Sequence, residues 1–199
     1  MLSEAARKYS RVFLEPMARF ISATGVSPNV ITVIGFLLMV GVAVVLAWGH
    51  LLLGGILITA VALFDAVDGT LARMMGRTSR FGAFLDSTLD RFSEAVIFLG
   101  LFIYLSGQNQ KLELLLIYAT VVGSLMVSYA RARAEGIGIP LKEGLFTRFE
   151  RVFLLVVGLL FNQLTFVLWV LAIFSNLTAK RRNRPVSRVG RDHIGVGIK

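Results

Sequence analysis

Residues 30–48 read VITVIGFLLMVGVAVVLAW and contain no charged side chain. A helix that crosses a lipid bilayer needs about 20 predominantly apolar residues, and this run meets that requirement. The whole chain of 199 residues is 56% hydrophobic and only 17% charged, whereas a soluble domain is usually about a quarter charged. The composition therefore favours an integral membrane protein over a soluble helical bundle.

Further apolar stretches follow this run, and each extends through weakly polar or aspartate-bearing residues to spanning length. They predict an all-α integral membrane protein with about six transmembrane helices, at residues 30–48, 51–72, 84–105, 112–130, 147–161 and 164–180. Before them, residues 3–24 place apolar side chains at helical spacing, which is typical of an amphipathic helix on the membrane surface and not of a cleavable signal peptide. We expect residues 1–184 to form a single transmembrane domain and the basic residues 185–199 a disordered tail.

Positive charge is distributed unevenly along the chain. The net charge is +9, and all of the 21 lysines and arginines except Lys111 fall on one side of the predicted spans. Because the cytoplasmic segments of membrane proteins carry the excess of lysine and arginine, both termini are predicted to be cytoplasmic. Anionic lipid and phosphate-bearing substrates explain this basic surface without nucleic acid. The absence of cysteine and the isolation of both histidines argue against a zinc site.

Four aspartates lie in or beside the second and third predicted spans. Asp65 and Asp68 share one helical stripe, and Asp86 and Asp90 share another, with small residues in register. An ionised carboxylate within a membrane costs several kcal/mol, so it indicates a function and a partner. If the two helices face each other, the carboxylates converge, and Mg²⁺, Mn²⁺ or Ca²⁺ would relieve their repulsion. An alternative is that one or two of these aspartates pair with arginines close to them in the sequence, namely Arg73 and Arg91.

The two stripes are parts of one longer pattern. Residues 65–73 read DAVDGTLAR and residues 82–90 read GAFLDSTLD. This pattern resembles the D-x-x-D-G-x-x-A-R and G-x-x-x-D-x-x-x-D motif of the CDP-alcohol phosphatidyltransferase family at every fixed position. The resemblance extends to Ser27-Pro28-Asn29, to the six-helix layout and to the amphipathic amino end.

The resemblance implies transfer of a phosphatidyl group from a CDP-linked lipid, CDP-diacylglycerol or its ether analogue, to an alcohol, with release of CMP. It also implies Mg²⁺ or Mn²⁺ as two bound ions, a homodimer, and an active site at the cytoplasmic side of a prokaryotic cell membrane. By position, the metal ligands are Asp65, Asp68, Asp86 and Asp90, and Asp90 is also the general base. The residues implied to contact the CDP-linked donor are Asn29, Asp65, Asp68, Gly69, Ala72, Arg73 and Gly82.

The acceptor alcohol is indicated by a second run. Residues 128–135 read SYARARAE, and Glu150-Arg151 follows later; this is similar to the branch of the family that uses inositol phosphate. The likeness implies that the acceptor phosphate is held by Ser128, Arg131, Arg133, Arg151 and Arg181. Three alternatives stay open: glycerol 3-phosphate as the acceptor, a cation pathway lined by the aspartates, and arginines that only flank the membrane.

Overall fold

The computed structural model describes the backbone of residues 27–74, 79–139 and 147–194, and the side chains of residues 27–65, 79–139 and 147–180. Every regular element in these ranges is an α-helix, which confirms the predicted all-α fold. The helices are α1 Pro28–Ala47, α2 Leu51–Met74, α3 Arg80–Gly107, α4 Lys111–Gly136, α5 Arg148–Leu160 and α6 Leu164–Ile194. The predicted surface helix at residues 3–24 lies outside the described residues.

Several helices end in the same hydrogen-bonded turn. After α1, the N–H of Gly49 donates to the carbonyl of Leu46 (2.9 Å) and the N–H of His50 to that of Val45 (3.3 Å). This pair of bonds is a Schellman motif, which satisfies the last carbonyls of a helix and reverses the chain at once. The motif needs one residue in the left-handed backbone conformation, which glycine and asparagine adopt most readily. The residues with positive φ in these turns are Gly49, Asn109, Gly138 and Asn162.

The chain forms two compact units, Met1–Gly100 and Leu101–Lys199, whose boundary falls within α3. In the first unit, α1 and α2 pack as an antiparallel hairpin. The side chain of Leu46 fills the space where Gly54 lacks a Cβ, and Gly35 lies beside the carboxylate of Asp65. These two pairs are equally spaced along both helices, so they define one register. Met39, Val42, Ile58 and Val61, which lie between these two contacts, are all buried, and the register places Met39 opposite Val61 and Val42 opposite Ile58.

The third helix approaches α1 closely within the first unit. A Cβ atom built on Gly100 would lie 2.3 Å from the carbonyl oxygen of Ala43, well inside the contact distance of two non-bonded atoms. The backbones of α1 and α3 therefore touch at a point where only glycine fits.

We expect Gly100→Ala to destabilise the protein, because the new methyl group would force α3 away from α1. Overpacking of this kind costs about 1–3 kcal/mol. The thermal unfolding midpoint of the detergent-purified protein measures it. Gly41→Ala is the matched control, since a Cβ at Gly41 meets nothing within 4 Å. Equal midpoints for the two variants would mean that the helices separate at no cost.

The second unit is built on α4 and α6, which run in the same direction. The hydroxyl of Thr165 on α6 donates to the carboxylate of Glu113 on α4 (3.0 Å). Further along both helices, Gly123 of α4 lies against Ser175 and Asn176 of α6. Small and polar residues at such contacts let two helices approach closely, as is common in membrane proteins. The buried polar residues of this pair are Thr120, Ser124, Ser175 and Thr178.

The helices are apolar enough to indicate a membrane protein. Pro28–Ala47 and Lys111–Gly136 are long and apolar enough to cross a bilayer, and Leu51–Asp65 and Leu164–Lys180 are shorter apolar stretches. Outward-facing side chains such as Leu115 and Phe166 are both 67% exposed, which is consistent with a surface covered by lipid. However, α5 has only 13 residues and is about 20 Å long, shorter than a hydrocarbon core of about 30 Å. The count of six spans therefore stays a prediction.

Helices α4 and α6 extend furthest beyond the carboxyl ends of their predicted spans. Helix α4 continues past residue 130 to Gly136, and α6 continues past residue 180 to Ile194. The backbone of residues 185–194 is thus helical where the sequence predicts a disordered tail. Arginine, which is frequent in both extensions, is a good helix former, and adding residues to an existing helix needs no new nucleus; Pro185, within the α6 extension, opposes the helix because it has no N–H to donate. Residues 195–199 lie outside the described range.

Candidate metal and active site

Three of the four predicted metal ligands come together in the first unit. Asp65 projects from α2, while Asp86 and Asp90 project from successive turns of α3. One carboxylate oxygen of each lies within 4.8 Å of the others. Asp86 is exposed, and Asp65 and Asp90 are half-buried. Three negative charges at this separation repel each other, and an all-oxygen set suits a hard divalent cation. The donor set therefore fits a metal such as Mg²⁺ or Mn²⁺.

The fourth predicted ligand, Asp68, lies on α2 one turn beyond Asp65. Its backbone is helical, and the i, i+3 spacing puts the two residues on one face of α2. The side chain of Asp68 is outside the described part of the structure. For three predicted donor-binding residues, Gly69, Ala72 and Arg73, the structure likewise describes only the helical backbone.

Two other predicted donor-binding residues are neighbours at the start of α3. A Cβ atom on Gly82 would lie 2.9 Å from Oδ1 of Asn29 in the first turn of α1, so the missing side chain lets these two segments meet. Ser79 caps the amino-terminal end of α3, because its hydroxyl accepts a hydrogen bond from the N–H of Gly82 (2.8 Å). Ser79 was not singled out from the sequence. The sequence pattern that could have identified it is a serine at the N-cap position, three residues before the N–H that it binds.

The predicted acceptor-phosphate residues all belong to the second unit. The Nε of Arg131 donates to Glu135 at 2.8 Å, an i, i+4 ion pair on α4. Arg133 is exposed, Ser128 is half-buried, and Arg151 on α5 is only 4% exposed. The side chain of Arg181 lies outside the described residues. Since α4 and α6 are parallel and aligned at Gly123 and Ser175, Ser128 stands at the level of Lys180.

A model of the CDP-alcohol phosphatidyltransferase family matches residues 25–178. The chain belongs to this family. The family resemblance drawn from the aspartate pattern is therefore confirmed, and the chain is a transferase enzyme.

Relatives of this phosphatidyltransferase are similar over almost their whole length. An archaetidylinositol phosphate synthase of Pyrococcus horikoshii is 37% identical over 183 residues, covering 92% of this chain and 94% of that protein. A phosphatidylinositol phosphate synthase of Streptomyces avermitilis is 37% identical over 204 aligned positions, covering 94% of this chain and 83% of that protein.

The fold of the phosphatidyltransferase is also found in a solved structure. The crystal structure of Mycobacterium tuberculosis phosphatidylinositol phosphate synthase with CDP-DAG bound matches with a TM-score of 0.83 at 30% identity, covering 86% of this chain and 92% of that chain. A second structure of the same mycobacterial enzyme, in complex with manganese and citrate, matches with a TM-score of 0.81.

A buried carboxylate of this phosphatidyltransferase escaped the sequence analysis. Glu94 lies on α3 one turn beyond Asp90, on the same stripe as Asp86, and is only 8% exposed. The signal was present, because the i, i+4 spacing of the aspartates continues to this residue. Nearby, Arg91 donates from Nη1 to the carbonyl of Ser87 in the preceding turn. This bond ties the Arg91 guanidinium to its own helix.

Proposed function

We propose that this phosphatidyltransferase transfers the phosphatidyl group of a CDP-linked lipid to a hydroxyl of inositol phosphate and releases CMP. The observation that carries the proposal is the cluster of Asp65, Asp86 and Asp90 on two helices. Two relatives named as inositol-lipid phosphate synthases, one of an ether lipid and one of a diacyl lipid, support the acceptor. The donor is accordingly CDP-diacylglycerol or its ether analogue.

In the proposed mechanism the residues of the chain have distinct tasks. Asp65, Asp68 and Asp86 would hold Mg²⁺ or Mn²⁺, and Asp90 would complete the site. Bound there, two such ions would supply charge neutralisation for the pyrophosphate and the departing CMP. Asp90 accepts the proton of the acceptor hydroxyl while the hydroxyl oxygen forms a bond to the phosphorus of the phosphatidyl group. The bond from that phosphorus to CMP breaks, and CMP leaves with the electron pair. Asn29, Gly69, Ala72, Arg73 and Gly82 contact the CDP moiety.

The proposed acceptor site uses the basic residues of the second unit. A phosphate monoester carries nearly two negative charges at neutral pH, and arginine can offer it two parallel hydrogen bonds. Arg151 is buried. An arginine that only flanked the membrane would have no need to be buried. The proposed site is completed by Ser128, Arg131, Arg133 and Arg181. Lys180, which lies at the same level as Ser128, adds further positive charge.

We propose that the enzyme crosses the membrane six times. The exposed apolar surface of the described helices and the one-sided distribution of lysine and arginine support it. In this topology both termini and the aspartates lie on the cytoplasmic side of a prokaryotic cell membrane. We further propose that the enzyme acts as a homodimer.

The deciding assay measures CMP release by the purified enzyme from CDP-diacylglycerol with Mg²⁺. Inositol phosphate, glycerol 3-phosphate, free inositol and serine are offered in separate reactions. We expect release with inositol phosphate and little with free inositol, because the arginines would lack their phosphate. Release with glycerol 3-phosphate alone would replace the proposed acceptor by the alternative one. No release with any acceptor, with an ether donor tested as well, would contradict the transfer itself.

We expect Arg131→Ala and Arg151→Ala to raise the KM for inositol phosphate far more than the KM for the donor. A hydrogen bond to a charged group contributes about 1.5–3 kcal/mol, or roughly 10–150-fold in KM. Glu135→Ala is the matched control for Arg131, because it breaks the same ion pair but keeps the arginine. If Glu135→Ala raises the KM as much as Arg131→Ala, the arginine serves the helix and not the acceptor.

A further inference from the structure

Gly82 lies in the first turn of α3, where the backbone has no need of glycine. The turn is helical, and alanine is more favourable than glycine inside a helix by about 1 kcal/mol. Glycine is favoured where a residue has a positive φ, and the described glycines with a positive φ are Gly49 and Gly138. What glycine supplies at residue 82 is therefore space.

Two side-chain oxygen atoms lie at the edge of that space. A Cβ atom built on Gly82 would be 2.9 Å from Oδ1 of Asn29 and 3.0 Å from Oγ of Ser79, which is closer than non-bonded carbon and oxygen atoms normally approach. The Ser79 oxygen is held in place, because it accepts the N–H of Gly82 (2.8 Å) in the bond that caps α3. The Asn29 oxygen stands at the far end of a longer side chain. A methyl group at residue 82 would therefore displace the carboxamide of Asn29.

This contact places the Asn29 carboxamide close to the aspartate cluster. Gly82 precedes Asp86 by one turn on the same stripe of α3, about 6 Å along the helix axis. The side chain of Asn29 is half-buried, and a carboxamide can both donate and accept hydrogen bonds. The polar groups of a nucleotide bound at the cluster are therefore within its reach.

We propose that Gly82 is a positioning residue for the donor site and acts through Asn29. The missing side chain of Gly82 lets the Asn29 carboxamide lie against the first turn of α3, where it bonds to the nucleotide of the donor. A side chain at residue 82 moves this carboxamide away from the nucleotide and leaves the helix itself intact. The inference rests on the proposed CDP-linked donor.

Binding of CDP-diacylglycerol to the purified protein with Mg²⁺, measured by titration calorimetry, tests the inference in a double-mutant cycle. We expect Asn29→Ala and Gly82→Ala each to raise the Kd by roughly 2–10-fold, the effect of losing about one hydrogen bond. The double variant should bind no more weakly than Asn29→Ala alone, because both changes remove the same interaction. Gly107→Ala is the matched control, since the same substitution on the same helix meets nothing within 4 Å and should leave the Kd unchanged.

Two further measurements separate positioning from a role in the fold. The KM for inositol phosphate should be that of the wild-type enzyme in every variant, because the acceptor does not meet Asn29. The thermal unfolding midpoint of Gly82→Ala should not fall, since alanine is the better helix former. A lower midpoint with unchanged donor affinity would mean that Gly82 serves packing alone, and would overturn the inference.

The remaining outcomes distinguish the inference from the function on which it rests. Losses that multiply in the double variant would overturn the inference, because Gly82 would then act without Asn29. Unchanged donor affinity in Asn29→Ala would overturn it for the same reason. If Gly82→Ala alone fails to fold, the double variant should fold, since it lacks the carboxamide that the methyl group displaces, and failure of both would overturn the inference. Absence of CDP-diacylglycerol binding in the wild-type protein would remove both the inference and the proposed donor.

Discussion

Replacing Asp86 by asparagine should lower the rate of CMP release by about a thousandfold or more. Metal ions contribute several kcal/mol to the stabilisation of charge in phosphoryl transfer, and each 1.4 kcal/mol or so is a factor of about ten in rate. Asparagine has nearly the same shape as aspartate but no charge. Because Asp86 is exposed, the change should leave the packing of α3 intact. Asp65→Asn should have a comparable effect, measured as kcat with saturating donor and acceptor.

The matched control for this experiment is Glu113→Gln. Glu113 accepts a hydrogen bond from Thr165, which glutamine can also accept, so this variant removes one carboxylate charge far from the cluster in sequence. Its activity should be close to that of the wild-type enzyme. Addition of EDTA should abolish wild-type activity, and excess Mg²⁺ should restore it. Full activity in EDTA would rule out metal-dependent transfer, whatever the variants show.

The aspartate cluster could be predicted because its information is local. The i, i+3 and i, i+4 spacings fix which face of a helix each carboxylate occupies, and the cost of placing charge in an apolar segment indicates that those faces meet. The short turns were predictable for a similar reason, since Gly49 and Asn162 supply the left-handed residue that a Schellman motif requires. The convergence of Asp65 with Asp86 and Asp90 is the tertiary result of these local rules.

Features that depend on the register between helices could not be read from the sequence. The contact of Gly35 with Asp65 follows from the packing of the whole α1–α2 hairpin, and the contact of Gly100 with Ala43 from the crossing of α1 and α3. Both glycines stand between large apolar residues, as does Gly41, whose Cβ would meet nothing within 4 Å. The end of α4 was missed because hydropathy falls at Arg131, whereas the helix continues through its ion pair with Glu135.

The proposed role of Asp90 as general base is difficult to distinguish from a role in metal binding. Asp90 belongs to the same cluster as Asp65 and Asp86, and it lies one turn beyond Asp86 along α3. A residue that only held metal would, when changed, weaken binding of the ion and of the pyrophosphate together. A general base would instead affect the step in which the acceptor loses its proton, after both have bound. Binding and turnover must therefore be measured on the same variant.

We expect Asp90→Asn to keep most of its affinity for the CDP-linked donor in the presence of Mg²⁺ while its kcat falls by about 10²–10⁴-fold, the usual contribution of a general base. Calorimetric titration with the donor gives the affinity, and CMP release with inositol phosphate gives kcat. Asp86→Asn is the reference, since loss of a metal ligand should weaken donor binding as well. A parallel loss of donor affinity in both variants would assign Asp90 to the metal site alone. Near-normal turnover of Asp90→Asn would exclude it as the base, and the proton would then have to pass to another group near the acceptor hydroxyl.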